Sequence, residues 1–314
     1  MRIGRAAGVT DTGRRRLRNE DAFICEPPLF AVADGMGGAR AGEVAARLAA
    51  AALEDAGVET KGEQGVTAMI VEANRRIWER AVADPTTAGM GTTVTAALVD
   101  IDSGTVAIGH VGDSRAYLLR DGALRQLTTD HSLVAELVSS GVLTPEEAER
   151  HPQRSAITRA LGTEPAVDVE VLTIVGKPGD LYLLCSDGLP TMLSDSAVAS
   201  ALEASDRDPT AASEALVAAA NRQGGEDNIT VVLFELAEGE PPVPEPAAAA
   251  SETIADEPVP QEQERESEPE QEAEASPASL SRHGAGPGGR LAALAFIVAV
   301  LVIGALVLYW GFSK

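Results

Sequence analysis

Four short apolar runs in this chain end at, or start just after, an aspartate, and that repeated placement restricts the fold more than any other feature. Asp34 follows Leu29–Ala33, Asp113 follows Val106–Val111, Asp187 follows Leu181–Cys185, and Asp227 precedes Ile229–Leu236. Runs of this length, rich in aliphatic and β-branched residues, read as buried strands. Each aspartate also has glycine or a small polar residue beside it: Asp34-Gly35, Gly112-Asp113-Ser114, Asp187-Gly188 and Gly225-Glu226-Asp227-Asn228. Two readings fit. Asp-Gly pairs are ordinary turn chemistry. Alternatively, strand ends hold several carboxylates rigidly around one point, where their mutual repulsion requires a cation. Oxygen-only ligands favour Mg2+ or Mn2+ over zinc.

The rest of the pattern mixes strands and helices without regular βαβ alternation. Ala41–Ala56 and Val66–Ala83 carry apolar residues at helical spacing. Thr92–Asp100, Thr105–Val111 and Arg115–Arg120 read as successive strands, the last closing at the hairpin signal Asp121-Gly122. Ser132–Ser140, Pro145–Arg150, Ser196–Ala204 and Thr210–Asn221 read as helices, and Asp180–Cys185 as a buried strand. Adjacent strands with helices grouped around them give an α+β layered fold with antiparallel sheets.

Composition sets the boundaries. Residues 1–237 can bury a core. From Glu238 to Ser281 there are 13 carboxylates against one arginine, Arg265, and almost no large apolar side chain. Residues 238–290 therefore read as a disordered, Pro/Glu-rich linker extended by self-repulsion. Leu291–Trp310 is free of charge, and its 20 residues would span about 30 Å as a helix, the hydrocarbon thickness of a bilayer. Tyr309 and Trp310 suit an interfacial position. A buried core helix is the alternative, but nothing amphipathic precedes the run. Residues 311–314 form a short tail. The first ten residues have no apolar signal core, and Arg282 and Arg290 flank the run on its N-terminal side. The expectation is a single-pass protein of the plasma membrane with its folded domain in the cytoplasm. A net charge of −23 argues against nucleic acid as a partner. Cys25 and Cys185 are too few for a disulfide scaffold.

Eight sequence blocks sharpen this. They are Arg16-x-x-Asn19-Glu20-Asp21; Ala33-Asp34-Gly35-Met36-Gly37-Gly38 with Gly42-Glu43; Gly91-Thr92-Thr93; Gly109-His110-Val111-Gly112-Asp113-Ser114-Arg115; Leu127-Thr128-x-Asp130-His131-Ser132; His151-Pro152-Gln153-Arg154-Ser155 leading to Arg159-Ala160-Leu161-Gly162; Cys185-Ser186-Asp187-Gly188-Leu189; and Asp227-Asn228-Ile229-Thr230. In this order the chain resembles the bacterial metal-dependent serine/threonine phosphatases of the protein phosphatase 2C type, over roughly residues 5 to 236.

The resemblance implies a four-layer α/β/β/α sandwich of two antiparallel sheets flanked by helices, to which the linker and one C-terminal transmembrane helix are added. It implies two core Mn2+ or Mg2+ ions, and a third in bacterial members. Asp34 would bridge the first two, with the Gly35 carbonyl as a further ligand; Asp187 and Asp227 would complete the ligand set of the first ion. Glu20 would act through water. Asp113, with the Asp187 position and Ser155, would face the third ion. Arg16 would hold the substrate phosphate. The implied activity is hydrolysis of phosphoserine and phosphothreonine on proteins by a metal-bridged hydroxide. The implied partners are phosphorylated proteins, above all membrane Ser/Thr kinases. A phosphatase acting on an anti-sigma-factor antagonist is a second use of the same activity, and a catalytically weak binding module on the same fold is the alternative from another class.

Some residues depart from the pattern. Met36 stands where some members carry a histidine acid, and Ala39 where many bacterial members have histidine. The leaving-group acid is unassigned between a metal-bound water and His131, and the local sequence favours Asp130 as the cap of a helix from Ser132, with His131 incidental. Arg14, Arg15 and Arg18 either widen a phosphate-attracting patch or form a solvated basic loop. Residues Thr128–Leu161 are expected to form a flap over the cleft.

Overall fold

The computed structural model describes residues 1–37, 41–56 and 61–239. Its strands are β1 (Arg2–Asp11), β2 (Asp21–Glu26), β3 (Leu29–Met36), β4 (Gly91–Thr92), β5 (Val94–Asp100), β6 (Thr105–Val111), β7 (Arg115–Arg120), β8 (Ala123–Gln126), β9 (Glu170–Val175), β10 (Leu181–Cys185) and β11 (Ile229–Ala237). Its helices are α1 (Ala41–Asp55), α2 (Gly62–Ala83), α3 (Leu133–Ser139), α4 (Pro145–Glu149), α5 (Asp195–Ala204) and α6 (Pro209–Arg222).

Strands β1-β11-β10-β7-β8 form one antiparallel sheet, and β2-β3-β5-β6-β9 the other, with the short β4 paired to β3. Side chains alternate across each strand, so a strand apolar on every residue must be covered on both faces. In β3, Ala31 and Ala33 face α1 and α2, while Phe30 and Val32 face the other sheet. In β10, Leu181, Leu183 and Cys185 face α5 and α6, while Tyr182 and Leu184 turn to the central layer. Three apolar layers separate four layers of secondary structure, which is the α/β/β/α sandwich. The central layer is built on Phe234, stacked on Phe30 at 4.1 Å and on Tyr182 at 4.8 Å between ring centroids.

The structure revises several element boundaries. The strand expected to stop at Ala33 runs through Asp34 to Met36, because Gly35 and Met36 pair with Thr92 and Gly91. The single strand expected over Thr92–Asp100 is two pieces broken at Thr93, whose N–H and hydroxyl are committed to the Asp34 backbone. The second helix starts at Gly62 rather than Val66. Strands β1, β2, β8 and β9 carried no clear apolar run and were not expected.

Among the described residues no helix is long and apolar enough to cross a membrane. The apolar run 291–310, the tail 311–314, nearly all of the linker and the Ala39 departure lie outside the described residues.

The central stack supplies a direct test. Phe234 is fully buried, so Phe234→Ala should lower the unfolding free energy by about 3–5 kcal/mol, and Phe234→Leu by far less. Urea unfolding checks this; a loss below about 1 kcal/mol for the alanine variant contradicts the placement of the core.

Candidate metal centre

Sheet register brings the aspartates to one end of the sandwich. Asp21 opens β2 directly opposite Asp34 on β3. Asp187 lies two residues past the end of β10, and Asp227 two residues before β11, whose Val231 pairs with Cys185. Asp113 sits in the turn between β6 and β7, and Arg115 just after it pairs with Cys185. The cluster therefore spans the seam between the sheets. Asp34 and Asp21 come from one, Asp187 and Asp227 from the other.

These carboxylates keep an opening to solvent but are otherwise embedded in protein, and they repel one another. Burial, with the Asp187 and Asp130 charges behind it, pushes Asp113 up to about 7. Burial likewise raises Asp187 to about 6, with Asp227 adding to the shift. Asp21 is raised to about 6 by burial against the pull of its hydroxyl partners Thr230 and Ser186. Asp34 is driven well above the usual carboxylate range, first by burial and then by Asp21, Asp187 and Asp113. Asp187 is among the charges that drive Asp34 upward, so the two carboxylates lie close together.

Buried oxygens of Asp21, Asp113 and Asp187 (Oδ1 in each case) have no hydrogen-bond partner. A buried anionic oxygen left unpaired is costly unless a cation faces it. Among the described residues no three acid, imidazole or thiol side chains stand in a closed ligand arrangement. A backbone oxygen adds to the donor set. A Cβ on Gly42 at the start of α1 would stand 2.7 Å from the Gly35 carbonyl oxygen and 2.8 Å from Glu20 Oε2. Both oxygens thus border a gap that only glycine leaves open. The donor set fits hard divalent cations.

Arg16 borders the cluster, half-exposed, with its guanidinium donating to Asp227 Oδ2 at 2.6 Å. Burial works against its charge, but Asp227, Asp34 and Asp187 more than offset this, so it is held more firmly protonated. Burial raises Glu20, opposed by the Arg16 charge. Ser155 is exposed in the turn after α4, and no hydrogen bond joins it to the cluster. Cys185 is fully buried and its thiol is pushed up to about 12 by burial, which leaves it no nucleophilic thiolate.

Two readings of the sequence need correction. Asp130 does not cap α3; it takes the Arg115 guanidinium at 2.7 Å, and Ser132 itself is the N-cap, accepting from the Ala135 N–H. His131 is not incidental. Its N–H donates to the Gly112 carbonyl at 2.7 Å, and its Nδ1 accepts from the Gly112 N–H at 3.1 Å. Nε2 then carries the proton toward Glu170 at 3.2 Å. Nδ1 and the backbone N–H thus hold the turn that presents Asp113, while Nε2 is engaged with Glu170.

Sequence reasoning also gave no role to Asp21, although it belongs to a quoted block; its register opposite Asp34 was the missing signal. Asn228 was missed as well. Its Oδ1 accepts from the Glu20 N–H at 2.8 Å, and its Nδ2 donates to the carbonyls of Thr12 and Arg18 at 3.0 and 2.8 Å.

Comparison with known proteins agrees with this fold. A family model described as protein phosphatase 2C matches residues 13–220. The serine/threonine phosphatase stp of Listeria welshimeri is 42% identical over 238 residues, spanning 72% of this chain and 93% of that protein. The serine/threonine protein phosphatase PstP of Mycobacterium tuberculosis is 42% identical over 239 residues, spanning 74% of this chain and 45% of that one. Its crystal structure superposes with a TM-score of 0.71 at 40% identity, covering 75% of this chain and all of that one (100%). A structure of the PstP catalytic domain with two manganese ions gives 0.69 at 38% identity, over 75% and 99% of the two chains. This chain belongs to the protein phosphatase 2C family.

The raised carboxylates set a pH test. Unfolded aspartates titrate near 4, so the cation-free folded chain holds protons the unfolded chain has released, and its stability falls as pH rises through about 6 to 7. A bound cation replaces those protons. The gain in melting temperature from Mn2+ relative to EDTA should therefore grow between about pH 5 and pH 8. A gain that is flat or shrinks with pH contradicts the assignment of this cluster to metal.

Proposed function

We propose that this chain is a metal-dependent protein serine/threonine phosphatase tethered to the plasma membrane. The observation that carries the enzymatic part is the set of unpaired, mutually repelling buried carboxylates beside the half-exposed Arg16. Such a site attracts divalent cations and presents a guanidinium to a phosphate.

Asp34 would serve both core ions with the Gly35 carbonyl as a further ligand, Asp187 and Asp227 would hold the first, and Glu20 would act through water near the second. Asp113 is the candidate for a third, with Ser155 the least supported member of the set. Asp21, fixed by the hydroxyls of Ser186 and Thr230, keeps Asp34 in place from the facing strand. When bound, two Mn2+ or Mg2+ ions supply Lewis acidity and an acidified water as nucleophile. Arg16 chelates the phosphoryl oxygens, fixes the phosphorus in line and neutralises charge that grows during displacement. The cleft keeps its solvent opening, and among the described residues no thiol or imidazole is free there to form a covalent phosphoenzyme. His131, engaged on both nitrogens, serves as a support of the Asp113 turn rather than as the acid.

The apolar run 291–310 and the acidic linker 238–290 support the tether, with the phosphatase domain cytoplasmic. Co-anchoring raises the effective concentration of membrane-bound substrates, which favours phosphorylated membrane Ser/Thr kinases among the partners. A non-catalytic binding module is disfavoured because every carboxylate the chemistry needs is present.

Phosphate release from a phosphothreonine peptide should appear with Mn2+ and vanish with EDTA. Asp34→Asn, Asp187→Asn and Asp227→Asn should each lower kcat by about a thousandfold or more while the chain still folds. Near-normal turnover in any one contradicts its role. Arg16→Ala should raise KM by about tenfold with a smaller change in kcat, and an unchanged KM rules out phosphate binding. The tether has its own test: the full chain should partition with membranes, and cleavage after Ala237 should release soluble, active enzyme. A full chain that stays in the aqueous fraction, or an inactive fragment, contradicts it.

A further inference from the structure

The loop Thr12–Asn19 holds four arginines in five positions, Arg14, Arg15, Arg16 and Arg18, around Leu17, in a chain of net charge −23. All five side chains are exposed, and Leu17 is 99% exposed. Only Arg16 is committed to the carboxylate cluster, and Arg15 lies a loose 3.7 Å from Glu226. Arg14 and Arg18 make no ion pair among the described residues.

The loop is nevertheless fixed. The Arg14 N–H donates to the Gly225 carbonyl at 2.8 Å, and the Gly13 N–H to Asp11 Oδ1 at 2.8 Å. Asn228 binds the carbonyls of Thr12 and Arg18, closing the loop at both ends. At Gly13, with φ of 76°, a Cβ would stand 2.1 Å from the Asp227 carbonyl oxygen, so the loop lies directly on the segment that carries a site aspartate. An anchored backbone with outward guanidiniums loses little order on binding. A lone exposed leucine would mean nothing; here it stands among uncommitted cations at the mouth of the cleft.

We propose that this loop selects substrates with acidic residues next to the phosphorylated one, with Arg14 and Arg18 as the reading groups, Arg15 assisting, and Leu17 giving apolar contact. The inference rests on the phosphatase reading and adds a substrate class to it. Once a phosphate sits on Arg16, an extended peptide advances about 3.3 Å per residue, so its nearest neighbours pass within reach of arginines one and two positions from Arg16. Guanidinium groups pair bidentately with carboxylates. The local cations also offset the repulsion that the acidic chain as a whole exerts on an acidic partner.

Three phosphothreonine peptides of equal length, flanked by Asp, Gln or Lys, distinguish the outcomes with the full chain in neutral detergent and Mn2+. At low salt kcat/KM should rank Asp over Gln over Lys, with about a tenfold spread carried by KM. The spread should shrink toward unity near 1 M salt, where the Debye length falls to about 3 Å. Arg14→Gln with Arg18→Gln should collapse it at low salt, and Arg14→Lys with Arg18→Lys should keep most of it; thermal unfolding in Mn2+ checks that both variants fold. Equal rates in the native chain, or an undiminished spread in the glutamine variant, overturn this inference alone. Hydrolysis of none of the peptides overturns the phosphatase reading and this inference with it. If mixed micelles of phosphatidylserine raise all three rates alike and erase the ranking, the loop serves a lipid surface and the proposal is overturned.

Discussion

Repulsion among buried carboxylates at the seam of two sheets is the constraint around which the rest of this molecule is arranged. Asp34 and Asp187, one from each sheet, lie close enough across that seam for the Asp187 charge to help drive Asp34 well above the usual carboxylate range. Neither could be held there by a flexible segment, because like charges in a low-dielectric setting move apart wherever the backbone permits. The three apolar layers prevent that movement. Phe30, Tyr182 and Phe234 lock the sheets face to face, and α1 and α6 clamp their outer surfaces. The stability of the core thus maintains an unfavourable electrostatic arrangement at one end, which a cation relieves.

Around the carboxylates lies a layer of groups that orient them. Ser186 and Thr230 donate to Asp21, and Thr93 ties the Asp34 backbone to Ser114. Asn228 fastens the arginine loop and Glu20 to the start of β11. His131 grips Gly112 with a donor and an acceptor, so that the segment bearing α3 and α4 is joined to the Asp113 turn. Each of these groups acts by fixing where another side chain points, and that separates a centre able to align phosphate, arginine and nucleophile from a loose patch of negative charge.

The central strands were legible because they are covered on both faces. In β3, β5, β6, β10 and β11 most residues are apolar and nearly all are buried, a signal that needs no partner to interpret. The four strands that escaped notice, β1, β2, β8 and β9, are the four sheet edges. Half-exposed edges mix polar and apolar residues and read like loops until their neighbours are known. The same limit hid Asp21, whose importance comes from register with Asp34. It also misassigned Asp130, which looked like a cap but answers Arg115 at the start of β7. The aspartates at Asp34, Asp187 and Asp227 were readable from local grammar, whereas the hydroxyls, Asn228 and His131 act through contacts between segments distant in sequence.

The central claim is that this carboxylate group is completed by divalent ions. Anomalous diffraction at the manganese edge, from crystals grown in Mn2+, addresses it without recourse to activity. The account predicts manganese density bounded by Asp34, Asp187 and Asp227, with further density facing the Gly35 carbonyl. A well-ordered map in which only water occupies the space between Asp34, Asp187 and Asp227 would contradict it.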